Sequence, residues 1–169
     1  MALVGLFWIT EESVHLGAEP VGPTSGVRLT EDGVQGLGNA PDPSWSWDEV
    51  RRVEIRDVKV RSVARRRVAL TLGALYAAVT GDADEPPSCT LRVETADRTA
   101  ELSFYASAVG GIYSPAEFAL SRTLLDRIAG GGARVGDLLA WRREQADDTT
   151  PPPEEREALL RMWAGGQGY

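Results

Sequence analysis

The sequence predicts an α+β fold: an antiparallel, partly open β-barrel or sandwich closed by an amphipathic helix, with a short helical C-terminal extension. Three observations predict it. Apolar residues alternate with period two through much of residues 3–106, as half-buried strands require. Turn signals fall between the alternating runs. The stretch SPAEFALSRTLLDRIAGGG then reads as one capped helix, and a second helical pattern follows a run of prolines. Residues 1–130 are accordingly the barrel with its closing helix at 115–129. Residues 131–169 are a helical tail with a Pro-rich linker at 146–153.

The first element is LVGLFWIT (3–10), read as one strand with Leu6 and Trp8 on one face and Phe7 and Ile9 on the other. A strand apolar on both faces is covered twice, or covered once and paired at an interface. Glu11-Glu12-Ser13 is a turn, and Val14-His15-Leu16 resumes the sheet. Asp32-Gly33, between Val27/Leu29 and Val34/Leu37, is a strong short-range hairpin signal. The segment at 39–44 is a loop, since Pro41 and Pro43 are hostile to a central strand. WSWDEVRRVEI (45–55) returns to alternation. Apolar parity flips at Arg56-Asp57, which predicts a bulge or tight turn there. Residues 68–80 fit both periods and are read as a short strand or turn leading into a helix over about 70–79. Leu91 and Val93, then Leu102, Phe104 and Ala106, frame a second hairpin around 96–98.

The closing helix carries complete terminal signals. Ser114 is the N-cap, Pro115 occupies the first helical position and Glu117 completes a capping box. Phe118, Leu120, Leu124, Leu125 and Ile128 form its apolar face, and Gly130 ends it. Val135, Leu138, Leu139 and Trp141 predict a short helix. ADDTTPPP (146–153) is a spacer whose prolines favour polyproline II. EEREALLRMW follows, with acids first as the helix dipole prefers and with Leu159, Leu160 and Trp163 on one side.

This order of elements over residues 3–129 resembles the pleckstrin-homology-like (PH-like) superfold of small bacterial domains. LFWITEESVHL resembles its first hairpin, WSWDEVRRVEI its middle strand and SPAEFALSRTLLDRI its closing helix. The apolar stretch at 68–80 departs from the simplest seven-strand pattern. The segments AVGGIYSPAEFALSRTLLDRI and EEREALLRMW also resemble an actinobacterial group, which implies no function. The PH-like resemblance implies a binding scaffold whose ligands are phosphoinositide heads, peptides or other proteins, without selecting among them.

Charge is unevenly distributed. Residues 51–67 hold eight of the chain's eighteen cations against Glu54 and Asp57, so this block is +6 in a chain of −7 and the remainder is −13. Lys59 is the only lysine. That arginine bias, with abundant Ala and Gly, points to a GC-rich genome and weakens any inference from Arg as such. If Arg61, Arg65, Arg66 and Arg67 face one way, an anionic surface would attract them at about 1 kcal/mol each. Alternation along a strand, however, puts Arg52 and Arg56 on the same face as Glu54. No aromatic interleaves the run as a nucleic-acid stacking platform requires. The favoured reading of the block is a solvated strand face that neutralises the protein's own acids or meets an acidic partner.

Motifs of catalysis are missing from the sequence. His15 is the sole histidine and has no cysteine or histidine at zinc-ligand spacing. Cys89 is the sole cysteine, so no internal disulfide forms, and it is read as structural. There is no GxSxG, dinucleotide fingerprint or P-loop. The longest apolar run, at 68–80, is short of the ~20 residues that a membrane-spanning helix needs. No secretory leader is evident. The expectation is a cytoplasmic, non-catalytic interaction module without cofactor or metal. Its partner is another protein, a second copy included, with a membrane surface as the alternative and nucleic acid disfavoured. Leu159, Leu160 and Trp163 are the expected partner-binding residues, docking in cis or in trans, and Arg61, Arg65, Arg66 and Arg67 the alternative anion-binding set.

Overall fold

The computed structural model describes residues 1–38, 42–57, 88–106 and 113–165. They form an α+β structure with two antiparallel sheets and, among these residues, three helices. The first sheet is a six-stranded meander of β1 (Ala2–Val4), β2 (Phe7–Ile9), β3 (Val14–Leu16), β4 (Gly26–Leu29), β5 (Gly33–Leu37) and β6 (Ser44–Ser46). The second holds β7 (Val50–Arg56), β8 (Ser88–Thr95) and β9 (Thr99–Tyr105) in that order. The helices are α1 (Pro115–Ala129), α2 (Val135–Glu144) and α3 (Pro153–Gly165).

Register decides which side of the meander is the core. Val4, Phe7, Leu16 and Val27 lie directly opposite one another on successive strands, and all four are fully buried. Gly36 continues that row opposite Val27, and a Cβ placed on it would come within 2.7 Å of Leu102 on β9. The missing side chain thus lets the two sheets close face to face. At their seam Ala18 N donates to Tyr105 O (2.8 Å), and Gly17 turns the chain with a φ of +72° that a side chain would strain. Among the described residues the two ladders remain separate and no barrel closes.

Helices contribute to the same core. Leu124, Leu125 and Ile128 of α1, Leu138 of α2 and Leu160 and Trp163 of α3 join the apolar cluster of the sheets. A fully buried side chain of this size contributes about 1.5–3 kcal/mol through lost apolar hydration. The tail therefore shares its core with the sheets.

Three local expectations are corrected. LVGLFWIT is a hairpin rather than one strand: β1 and β2 pair antiparallel with Val4 opposite Phe7 around Gly5-Leu6. Gly5 has φ +57°, which permits the reversal. The hairpin expected at Asp32-Gly33 turns one residue earlier, on Glu31-Asp32, because Thr30 and Gly33 are already paired. WSWDEVRRVEI is likewise divided. Glu49 Oε2 accepts from the Ser46 amide and hydroxyl, and Val50 N donates to Trp47 O, so the chain turns and passes from β6 in one sheet to β7 in the other.

The remaining elements match. The helix at 115–129 has its complete capping box, and β8–β9 is the second hairpin. The parity flip at Arg56-Asp57 marks the end of β7, where Asp57 is the one described non-glycine residue with positive φ (65°). The expectation for 68–80 lies outside the described residues, as do residues 39–41 of the expected 39–44 loop, whose last residue, Ser44, opens β6.

Candidate partner-binding site

The site is the contact between α1 and α3, and its centre is one carboxylate. Glu117 sits at the third position of α1, where Ser114 Oγ accepts from its amide (3.1 Å) and its Oε2 accepts from Ser114 N (3.3 Å). That is the local role of a capping-box glutamate. Its other oxygen, Oε1, accepts from Arg156 Nε of α3 at 2.6 Å. The Glu117 side chain is 6% exposed and that of Arg156 18% exposed, so the pair is shielded from water. Arg156 also donates to Pro151 O (3.1 Å), which ties the guanidinium to the end of the linker.

One turn further along α3, Leu160 is fully buried against the β1–β2 turn. A Cβ on Gly5 would lie 2.9 Å from Leu160 Cδ1 and would strike the Ser121 hydroxyl. Ser121 Oγ is itself engaged, accepting from Leu6 N (3.1 Å) and donating to Glu117 O (2.7 Å). Another turn on, Trp163 meets Trp141 of α2 edge to face, with centroids 5.5 Å apart. At the C-terminal end Arg127 of α1 donates to Ala164 O (2.8 Å) and to Gly132 O (2.9 Å). α3 has no basic residue in its own last turn, so Arg127 supplies the cation that its terminal carbonyls favour.

Of the residues expected to bind a partner, Leu160 and Trp163 are therefore buried within this chain and Leu159 is half-buried. The sequence reading missed Glu117, Arg127 and Arg156 as site residues. A signal for Glu117 was present, but it was absorbed by its capping role. The linker is also tacked down: Arg142, 2% exposed, pairs with Asp148, and Leu3 N donates to Thr150 Oγ1 (3.1 Å).

Arg61, Arg65, Arg66 and Arg67 lie outside the described residues. The described start of the basic block does have a geometry. Arg51, Arg52 and Arg56 are exposed on β7. Arg52 lies opposite Glu94, Glu54 opposite Arg92, and Arg92 opposite Glu101. Ion pairs Arg56–Glu54 (3.0 Å) and Arg92–Glu94 (3.1 Å) complete a charge checkerboard. The hydrogen bond from Arg56 holds the Glu54 carboxyl below its ordinary range.

His15 is 1% exposed, between Trp8 and Arg28 on adjacent strands. Its Nε2 accepts from Arg28 Nε (3.3 Å), which fixes the neutral tautomer, and its Nδ1 has no hydrogen-bond partner among the described residues. Burial first, and Arg28 second, push the imidazole below its ordinary value, with Glu19 opposing. A cleft of about 660 Å³ opens near Arg28 and is lined by Glu11, Glu12 and Glu19, but its walls do not include His15. Among the described residues no group of three His, Cys, Asp or Glu could hold a metal ion, and no helix is long and apolar enough to cross a membrane.

No family model, curated protein or solved structure matches this chain.

Proposed function

We propose that this chain is a non-catalytic protein-interaction module of PH-like type, with partner binding centred on the α1–α3 region. One observation carries the reading: α1 holds an amphipathic helix through a shielded ion pair, a fitted leucine and a terminal arginine. Helix-in-groove contacts use these elements, with anchors spaced along one face. The PH-like part draws its support from the order of two antiparallel sheets, joined at the Gly17–Tyr105 seam and followed by a capped helix.

The test is photo-crosslinking in cells from positions 162 and 141, which lie on the exposed side of α3 and beside Trp163 on α2. An adduct with a defined protein, a second copy included, is expected, and purified partner should reconstitute the complex. No adduct from either position sinks the reading.

A second reading is an anionic lipid- or phosphate-binding module built on 51–67. The exposure of Arg51, Arg52 and Arg56 supports it, and the ion pair of Arg56 with Glu54 and the position of Arg52 opposite Glu94 weaken it. Flotation with anionic vesicles at physiological salt decides between them. Wild type floating while Arg65→Ala/Arg66→Ala/Arg67→Ala does not would replace the first reading with the second.

A further inference from the structure

The face beneath α3, built from α1, α2 and the β1–β2 turn, reads its ligand at four points. Glu117 takes a cation, the Gly5–Ser121 seat takes a branched apolar side chain, Trp141 takes an aromatic edge, and Arg127 takes terminal carbonyls. The complementary side chains on α3 are Arg156, Leu160 and Trp163, spaced four and then three residues apart on one helical stripe. Every group that recognises the ligand belongs to the body of the protein.

As a ligand, α3 is poor. It has thirteen residues, close to the length at which an isolated helix is marginal. Its last turn lacks a cation, and Met162 on its outer side is 53% exposed. Docking must therefore order the helix as well as bury it. The eight-residue tether at 145–152 offsets that cost by keeping α3 at high local concentration. A second copy's α3 offers the same helix without the tether and loses to the cis copy by about 10²–10⁴-fold. A helix already folded in its own protein carries no such ordering cost.

We infer that α3 is an internal plug, and that the face beneath it binds a preformed amphipathic helix of another protein bearing Arg, Leu and an aromatic residue at i, i+4 and i+7. Binding displaces α3, so the free protein is autoinhibited. This inference rests on the interaction-module reading and adds the partner's chemistry and the control of access.

The experiment uses the full chain with a protease site inserted after Ala146, in the exposed linker. The probe is a fluorescent peptide of residues 151–165, either linear or stapled through positions 158 and 162, both exposed in the docked helix. The stapled peptide should bind the cut protein about tenfold more tightly than the linear one, since its helix is prepaid. Cutting the linker should raise the affinity of either peptide by about 10²-fold. Replacing Leu160→Ala or Arg156→Glu within the stapled peptide should abolish binding. Three results would overturn the inference: the cut protein unfolds, so that α3 is a fixed part of the core; both peptides bind equally; or cut chains pair with each other. The interaction-module reading fails separately, if peptide exchange occurs yet positions 162 and 141 capture nothing in cells.

Discussion

Helices α1 and α3 lie side by side and both carry an apolar stripe, yet they are held by different means. α1 is delimited locally: Ser114 and Glu117 cap its start, Pro115 pre-sets its first turn, and Gly130 N closes onto Asp126 O at its end. α3 has acids in its first turn and little else of its own. Its first-turn Arg156 is satisfied by Glu117, its middle by Gly5 and Ser121, and its Ala164 carbonyl by Arg127. A helix with complete end signals nucleates on its own chain, whereas one without them exists where tertiary contacts complete it. The difference makes α1 a platform and α3 its dependent.

The largest test of that asymmetry is Arg156→Met. Removing one partner of a shielded ion pair leaves Glu117 buried and uncompensated, at about 3–5 kcal/mol. Amide hydrogen exchange should show α3 losing protection while α1 keeps it. Equal loss in both helices would break the comparison.

Leu160→Ala should act next, at about 3 kcal/mol, because the Gly5–Ser121 seat is built from backbone and a short side chain that close poorly over the cavity. Urea unfolding should register it as a lower midpoint. A substitution cost under about 0.5 kcal/mol would mean that the leucine seat is not an anchor.

Ser114→Ala sharpens the contrast from the other side. The loss should be about 1 kcal/mol, typical of an N-cap, and it should lower the protection of both helices, since α3 depends on α1. An effect confined to α1 would make α3 independent of its platform.

The smallest effect is a pH slope away from both helices. Burial and Arg28 hold the native His15 imidazole below its ordinary 6.5, so the unfolded chain takes up the proton first. Stability from the neutral histidine is whole above pH 6.5 and is lost as pH falls through 6.5 towards the lowered native value. His15→Gln should flatten urea midpoints over this range. Wild type and variant with the same slope would show that His15 does not govern it.

How much of this was legible before folding differs from place to place. The α1 capping box could be read directly because its donors and acceptors lie within four residues. The hairpins could be read in number better than in register. Asp-Gly is the more familiar turn signal, whereas the geometry turns on threonine: Thr10, Thr30 and Thr95 each donate a hydroxyl to the carbonyl three residues on and accept from that residue's amide. T-E-E-S, T-E-D-G and T-A-D-R are thus one device used three times. Gly5 and Trp47-Asp48-Glu49 divided runs that looked continuous, since alternation reports burial and not where a strand reverses.

By itself the sequence determined what depends on neighbours along the chain: strand alternation, the α1 caps, and an amphipathic tail with Leu160 and Trp163 on one side. Only the tertiary structure decided what that tail faces. Glu117 and Arg156 are thirty-nine residues apart, and nothing local distinguishes a capping glutamate from one that also receives a distant arginine. The two roles use different oxygens of one carboxylate, and their coincidence arises only when α3 folds back across α1. Pairing at that separation is selected by burial and charge compensation in three dimensions, which leave no period in the sequence.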